Sequence, residues 1–502
     1  MKTRIQPLIN FFILRLSIAV LIFGVIPGLQ IARAETGTIL SLYPNWFFDG
    51  VESGENMGSA VSSAGDVNGD GLVDVLIGAQ KHTLNEYREG AAFVFFNHNG
   101  SLSALPDWKI GSGQQGSLFG CSLSDLGDVN GDDLDDIIIG ACDFNLVEGG
   151  VVAKSKVGAA FVYYGSPTFT SKSSADWSFM GEQVDGRLGS AVNAAGDLNQ
   201  DGYADVIIGE PSFDGNDLLN NGKAYVFYGA EDGLATIPAW AASGNANAEL
   251  FGSAVANAGD VNGDGWNDII IGAPRPGNPA SLQIGYAYVF YNSVDGLSAT
   301  MSWSATNNQA GAWFGASVAG VGDVNQDGYD DVLIGAPYTK VLIEDKPESA
   351  GCTYLYLGSE NGLATSPAWS YCADQAGGKF GASVSPAGDM NKDTYQDFLV
   401  GMPFYSVSNE HQGAVYLFFG NPNGVKSDYF EKTFGNKADT EFGTSVSGVG
   451  DINDDDRLDI IVGAPNYKSS NERVGRAMIY YAGLPGIPDE DLFSIFLPVI
   501  QK

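Results

Sequence analysis

Phe314-Gly315, then Asp323-Val324-Asn325-Gln326-Asp327-Gly328-Tyr329-Asp330-Asp331, then Gly335-Ala336-Pro337: the fold is decided by how often this stretch recurs. The core pattern D-x-N-x-D-x-x-x-D begins at Asp66, Asp128, Asp197, Asp260, Asp323, Asp389 and Asp451, at intervals of 62 to 69 residues. Before each loop stands an apolar-Gly pair: Met57-Gly58, Phe119-Gly120, Leu188-Gly189, Phe251-Gly252, Phe314-Gly315, Phe380-Gly381 and Phe442-Gly443. After each comes an apolar run ending in Gly-Ala-Pro or a relative of it, such as Gly78-Ala79-Gln80 or Gly209-Glu210-Pro211. A fixed period of this length marks an array of one supersecondary unit. The array covers residues 36 to 483, which assigns 35–483 to one repeat domain and leaves no room for a second.

Each unit holds four apolar segments of strand length separated by Gly, Asp and Asn, and none shows helical periodicity. The expected fold is therefore all-β: a seven-bladed β-propeller of four-stranded antiparallel blades, in which each sheet buries its faces against its neighbours. The outermost strand has its own marker, a Trp 12 residues before the next repeat's Gly, at Trp46, Trp108, Trp177, Trp240, Trp303 and Trp369. These are expected to be packing residues. The seventh slot breaks the rule with Glu431 and its neighbour Phe430. Trp46 precedes the first loop while no Trp strand follows Ala477 to Tyr481, so the N-terminal strand is expected to pair with the last blade and close the ring. Closure removes edges that would template aggregation.

In the acidic loops, oxygens at positions 1, 3, 5 and 9 converge if the chain turns tightly at position 6, and the carbonyl of position 7 adds a fifth. The candidate ligands are Asp66, Asn68, Asp70, Leu72 and Asp74 in the first loop, and Asp128, Asn130, Asp132, Leu134 and Asp136 in the second. The third offers Asp197, Asn199, Asp201, Tyr203 and Asp205; the fourth Asp260, Asn262, Asp264, Trp266 and Asp268; the fifth Asp323, Asn325, Asp327, Tyr329 and Asp331. The sixth offers Asp389, Asn391, Asp393, Tyr395 and Asp397, and the seventh Asp451, Asn453, Asp455, Arg457 and Asp459. Several carboxylates on a flexible loop suit Ca²⁺ rather than Mg²⁺, which demands a strict octahedron. Up to seven Ca²⁺ ions are expected, one per blade. An EF-hand starts similarly but needs Glu at position 12. Here position 12 is Ile77, Ile139, Ile208, Ile271, Ile334, Val400 or Val462, which excludes it. The turn at position 6 favours a left-handed backbone, supplied by Gly71, Gly202, Gly265 and Gly328 but not by Asp133, Thr394 or Asp456.

Phe-Gly pairs, D-x-N-x-D-G-x-x-D loops and Gly-Ala-Pro endings together resemble the FG-GAP repeats of integrin α-subunit propellers, and residues 314 to 337 form a complete example. The resemblance covers the whole chain after its leader. It implies a seven-bladed propeller with Ca²⁺ in loops on one face and ligand contacts on the other, commonly in adhesion. The chain departs from that family in carrying acidic loops in all seven blades and in lacking leg domains, a transmembrane helix and a cytoplasmic tail. It is expected to be a free-standing relative of bacterial type.

Composition sets the remaining bounds. At 44% hydrophobic and 17% charged the chain is expected to fold around a sizeable core. Residues 1–34 read as a signal peptide, with Lys2, Arg4 and Arg15 ahead of the apolar run Leu16 to Leu29 and small residues at Ala32 and Ala34. The formal charge of −35 includes four basic residues of that leader, so the mature chain stands at −39 and seven Ca²⁺ ions would bring it to −25. Such a field repels nucleic acid and anionic lipid. Secretion or surface display is expected, where disulfides persist, and two are expected, Cys121 with Cys142 and Cys352 with Cys372. Residues 484–502 form a C-terminal tail, too short to span a membrane, that either packs along the last blade or serves as a sorting signal.

For function, the first reading is a non-catalytic adhesion and ligand-binding module. Its extracellular protein or glycan ligand would sit on the face opposite the metal loops, where the long two-to-three loops converge. Aromatics after the Gly-Ala-Pro ending (Phe144, Phe213, Tyr338, Phe404, Tyr405, Tyr467) serve either ligand contact or packing. A calcium-dependent lectin is the alternative. An extracellular enzyme is the third reading, and it lacks a residue set: nearly every recurrent Asp belongs to a loop, and His82, His98 and His411 are scattered without Ser or Cys partners.

Overall fold

Six-residue apolar strands start at the ninth position of each acidic loop: Asp74–Ala79, Asp136–Ala141, Asp205–Glu210, Asp268–Ala273, Asp331–Ala336, Asp397–Met402 and Asp459–Ala464. Every residue in them is buried. A strand covered on both faces needs sheets stacked on either side, and β-branched and aromatic residues fill that space well. The computed structural model, which describes residues 39–41, 43–274, 284–407, 410–425, 429 and 431–483, provides it with seven four-stranded antiparallel sheets. In the fifth, the strands run Ser317–Gly322, Asp331–Ala336, Cys352–Tyr356 and Trp369–Cys372 from inside to outside. The expected leader 1–34, the tail 484–502 and Phe430 lie outside the described residues.

Six sheets take their strands in chain order. The seventh joins Ser445–Gly450, Asp459–Ala464 and Arg476–Tyr480 to the N-terminal strand Trp46–Asp49, with Trp46 opposite Ile479 and Asp49 opposite Arg476. The expected closure is present, and the Arg476 guanidinium holds both oxygens of Asp49 across it. Both expected disulfides are also present.

The Phe-Gly and Gly-Ala-Pro motifs meet at the joints between blades. A methyl placed on Gly272 would lie 2.0 Å from the carbonyl oxygen of Gly315 in the next blade, and Gly463 stands 2.1 Å from Gly58 at the closing joint in the same way. The same contact recurs at all seven joints, at 2.0 to 2.3 Å. Only glycine permits backbones to cross this closely. The apolar partner of each pair, such as Phe314 or Phe442, is fully buried between sheets. The core is accordingly divided into clusters between adjacent blades: Ile270, Val289 and Trp303 of the fourth blade pack with Phe314, Ile334 and Tyr356 of the fifth.

The outer tryptophans do more than fill space. Trp46, Trp108, Trp177, Trp240 and Trp303 each donate the indole N–H to a carbonyl of the next blade's three-to-four turn, at Ser103, Lys172, Ala235, Ser298 and Ala364. Each also meets an aromatic of that blade's third strand edge-on, as Trp303 meets Tyr356 at 4.9 Å. Such pairs add ~0.5–1.5 kcal/mol beyond area burial. Along the axis, small polar and aliphatic residues of all seven inner strands, among them Ser62, Asn193, Asn257 and Ser447, line a cavity of about 530 Å³.

Candidate metal centres

The acidic loops join the first and second strands, and the ninth-position carboxylates anchor them. Asp136 accepts the N–H of Val129 at the loop's second position (2.9 Å) and that of Gly165 just after the third strand (2.7 Å). Asp205, Asp268, Asp331, Asp397 and Asp459 repeat both bonds. Loops and three-to-four turns therefore share one face, as expected from strand alternation.

The first-position carboxylate organises the turn. Asp66 Oδ1 accepts the N–H of Gly69 and Asp70 while Oδ2 accepts that of Gly71. The fifth-position Asp accepts the N–H of position 7 in every loop, from Leu72 to Arg457. Position 6 is left-handed throughout, with φ of 82° at Gly71, 62° at Asp133, 78° at Thr394 and 63° at Asp456. Position 4 is left-handed as well, at Gly69, Gly131, Gln200, Gly263, Gln326, Lys392 and Asp454. The second requirement was missed, although Gly or a polar residue at every fourth position was its visible trace.

The electrostatics of the loops call for a cation. Burial pushes the carboxyls of Asp74, Asp136, Asp268, Asp331 and Asp397 up to about 8, and those of Asp205 and Asp459 up to about 7. Backbone N–H bonds oppose the rise, while the negative charges at positions 1 and 5 add to it. Among the described residues, no ion pair reaches these carboxylates. In no loop do three carboxylates close to within 4.8 Å of one another. Carboxylates, an amide oxygen and a backbone carbonyl on a flexible loop form an all-oxygen set that suits Ca²⁺ better than Mg²⁺, which demands a strict octahedron. The residue set fits Ca²⁺.

The loops are also tied to one another. The N–H at position 8 reaches the first-position carbonyl of the preceding blade, from Asp135 to Asp66 (3.2 Å), Ala204 to Asp128 (2.9 Å), Asp330 to Asp260 (3.1 Å) and Gln396 to Asp323 (3.5 Å). Gln200 and Gln326 reach forward to carbonyls of Gly265 and Thr394.

On the opposite face, the two-to-three loops include the hairpins Leu146–Glu148 with Val151–Lys154 and Lys340–Ile343 with Lys346–Ser349. They expose Val147, Val151, Leu219, Leu342 and Val407. The aromatics near the Gly-Ala-Pro endings mostly pack. Tyr405 and Tyr467 are buried, Phe144 stands edge-on to Phe161, and Lys379 lies 3.8 Å over Phe404. Of the histidines, His82 is buried against Glu55, while His411 faces Asp439.

Residues 189–227, 251–290, 314–351, 380–418 and 442–480 match the FG-GAP repeat, and residues 51–139 match the FG-GAP-like repeat. Integrin alpha-8 of Gallus gallus is 34% identical over 230 residues, 45% of this chain and 20% of the relative. Integrin alpha pat-2 of Caenorhabditis elegans is 34% identical over 229 residues, 43% of this chain and 18% of the relative. The chain thus spans about a fifth of the length of these relatives. A solved chain of BBS1N, in complex with ARL6DN, gives a TM-score of 0.49 at 9% identity over 89% of this chain and 98% of that one. Glycine crossings, acidic loops and repeat matches run together through the ring, and the protein belongs to the FG-GAP repeat family as a seven-bladed propeller homologous to integrin α-subunits.

Proposed function

We propose that this protein is an exported, calcium-loaded propeller that binds an extracellular ligand and performs no chemistry on it. The observation that carries the reading is the sevenfold repetition of three mutually repelling, backbone-organised carboxylates in one ring. Positions 1, 3, 5 and 9 and the position-7 carbonyl of each loop would hold the ion. The ion would supply charge neutralisation and a rigid turn. That rigidity serves the opposite face, where variable loops of a fixed scaffold present exposed aliphatic side chains for recognition. The leader-like residues 1–34 and the two disulfides support export. Homology to integrin α-subunits supports adhesion as the class of activity.

The test is binding of the Ca²⁺-loaded protein, without its first 34 residues, to immobilised matrix proteins and to a glycan array. The expected result is saturable, chelator-sensitive binding to a protein ligand that is weakened by charge substitutions at Val151 and Leu342. Binding confined to glycans would replace this reading with the lectin, and turnover of a bound ligand would replace it with an enzyme.

A further inference from the structure

Glu52 and His82 depart from the residues most blades carry, and Glu55 lies against both. Three residues upstream of the Phe-Gly glycine the first blade has Glu55 and the fourth Glu249, whose oxygens accept the Tyr288 hydroxyl and the N–H groups of Asn245 and Ala246; the other blades have Ser117, Gly186, Ala312, Gly378 and Thr440. Four residues beyond the Gly-Ala-Pro glycine, four blades have an aromatic (Phe144, Phe213, Tyr405 and Tyr467), the fourth and fifth have Pro276 and Thr339, and the first has His82. Six residues upstream of the Phe-Gly glycine, four blades have Gln. Gln114 donates its amide to the carbonyl of Asn145 and accepts that residue's N–H; Gln183, Gln309 and Gln375 make the same double bond to Asp214, Lys340 and Ser406. In the first blade this position is Glu52, which accepts the N–H of Thr83 at 3.1 Å. A carboxylate has nothing to donate in return, so the replacement removes one bond of the pair and adds a negative charge.

The three side chains converge. One ligand atom from each of Glu52, Glu55 and His82 lies within 4.8 Å of the others, the only such trio among the described residues. Glu55 is fully buried, with one oxygen on His82 Nδ1 and the other, Oε1, without any hydrogen-bond partner. An unpartnered buried carboxylate oxygen is costly unless something occupies its lone pairs. The backbone holds the trio in place through Lys81 N–H to Glu55 O (3.0 Å) and Gly90 N–H to His82 O (3.0 Å), and Phe93 stands edge-on to the imidazole.

We propose that Glu52, Glu55 and His82 form a binding site for one transition-metal dication of the zinc class, on the face opposite the acidic loops. Imidazole with carboxylate selects such ions over Ca²⁺, which seeks six to eight oxygens. Three protein ligands leave a fourth position of a tetrahedral ion open. The trio lies on the side on which the ligand is proposed to bind, although the metal site stands whether or not the adhesion reading does.

Zn²⁺ titration by calorimetry in excess Ca²⁺, which keeps the acidic loops filled, tests this. Two variants restore what other blades carry: His82→Phe and Glu52→Gln. The wild type is expected to take up one more Zn²⁺ per chain than His82→Phe, and Co²⁺ at the same site should give the visible absorption of a tetrahedral ion. Glu52→Gln should bind Zn²⁺ at least ~10-fold more weakly while melting no lower than the wild type, since it regains the double bond to Thr83. Equal Zn²⁺ uptake by wild type and His82→Phe would overturn the site. So would unchanged affinity in Glu52→Gln, which decides the matter if His82→Phe does not fold.

Discussion

The Glu431 carboxylate accepts the backbone N–H of Leu40 at 3.0 Å, across 391 residues of sequence, and that of neighbouring Ile39 at 2.8 Å. Glu431 occupies the slot filled elsewhere by tryptophan. At five other joints an indole donates to the next blade's three-to-four turn. The last blade has no such turn of its own, because its outer strand comes from the N-terminus. What arrives at the joint is a free chain segment with N–H groups to satisfy, so the slot needs an acceptor.

Glu431→Ala should therefore weaken closure. Two N–H groups lose their partner, at about 1–3 kcal/mol each if they stay buried. Thermal melts should drop, and limited proteolysis followed by mass spectrometry should find new cuts within residues 39–49. Deletion of residues 35–50 should remove cooperative unfolding altogether. A deleted chain that melts like the intact ring would refute the closure's role.

Glu210 predicts a pH dependence. It stands where most blades have Ala, is buried, accepts the Tyr225 hydroxyl at 2.6 Å and leaves Oε1 unpartnered. Burial pushes its carboxyl from 4.5 up to about 7. The folded state then holds the proton more tightly than the unfolded chain, so the contribution is fully present below pH 4.5 and is lost as pH rises through about 7. Glu210→Gln should flatten the stability profile in that window and be the more stable protein at pH 8, by on the order of 3 kcal/mol. Chemical denaturation at several pH values in constant Ca²⁺ measures it, and parallel profiles would reject the assignment.

The sixth loop should hold its ion most weakly. Thr394 is a β-branched residue at φ 78°, and Lys392, at φ 61°, brings a positive charge to the fourth position. A left-handed non-glycine residue costs ~1–2 kcal/mol, roughly tenfold in affinity. Anomalous scattering from crystals at limiting Ca²⁺ should show Asp389, Asn391, Asp393 and Asp397 emptying first, and Thr394→Gly should restore occupancy. A filled sixth loop beside partly empty fourth and fifth loops would sink the ranking.

Chelation should destabilise the whole ring. A ligand that binds only the native state adds about 2.7 kcal/mol per site at a hundredfold excess over Kd. Because at four joints position 8 of one loop is bonded to position 1 of the loop before it, the loss should appear as one cooperative melt at lower temperature. An unchanged melting temperature in chelator at neutral pH would count against Ca²⁺ in these loops.

Most of the architecture was legible in the chain because a repeat multiplies every weak local signal by seven. Strand order, the N-terminal closure and both disulfides follow from spacing alone. What was not legible depends on pairs of residues from different units. Trp303 reads as packing until Ala364 is seen to accept its N–H. Glu431 reads as an exception until Leu40 arrives beside it. Glu52, Glu55 and His82 belong to three separate columns of the repeat, and only folding brings those columns together.

The bond between Arg476 and Asp49 joins residues 427 positions apart. At about 5–20 residues per second, the first strand is made on the order of 20 to 90 s before its partner strand exists. Throughout that interval the inner strand Met57–Gly65 can pack against the second blade but lacks the last blade on its other side, and Trp46–Asp49 is an apolar segment awaiting a sheet. Biosynthesis therefore leaves one seam open until nearly the end. Whatever keeps that seam away from other chains must act across the whole of translation.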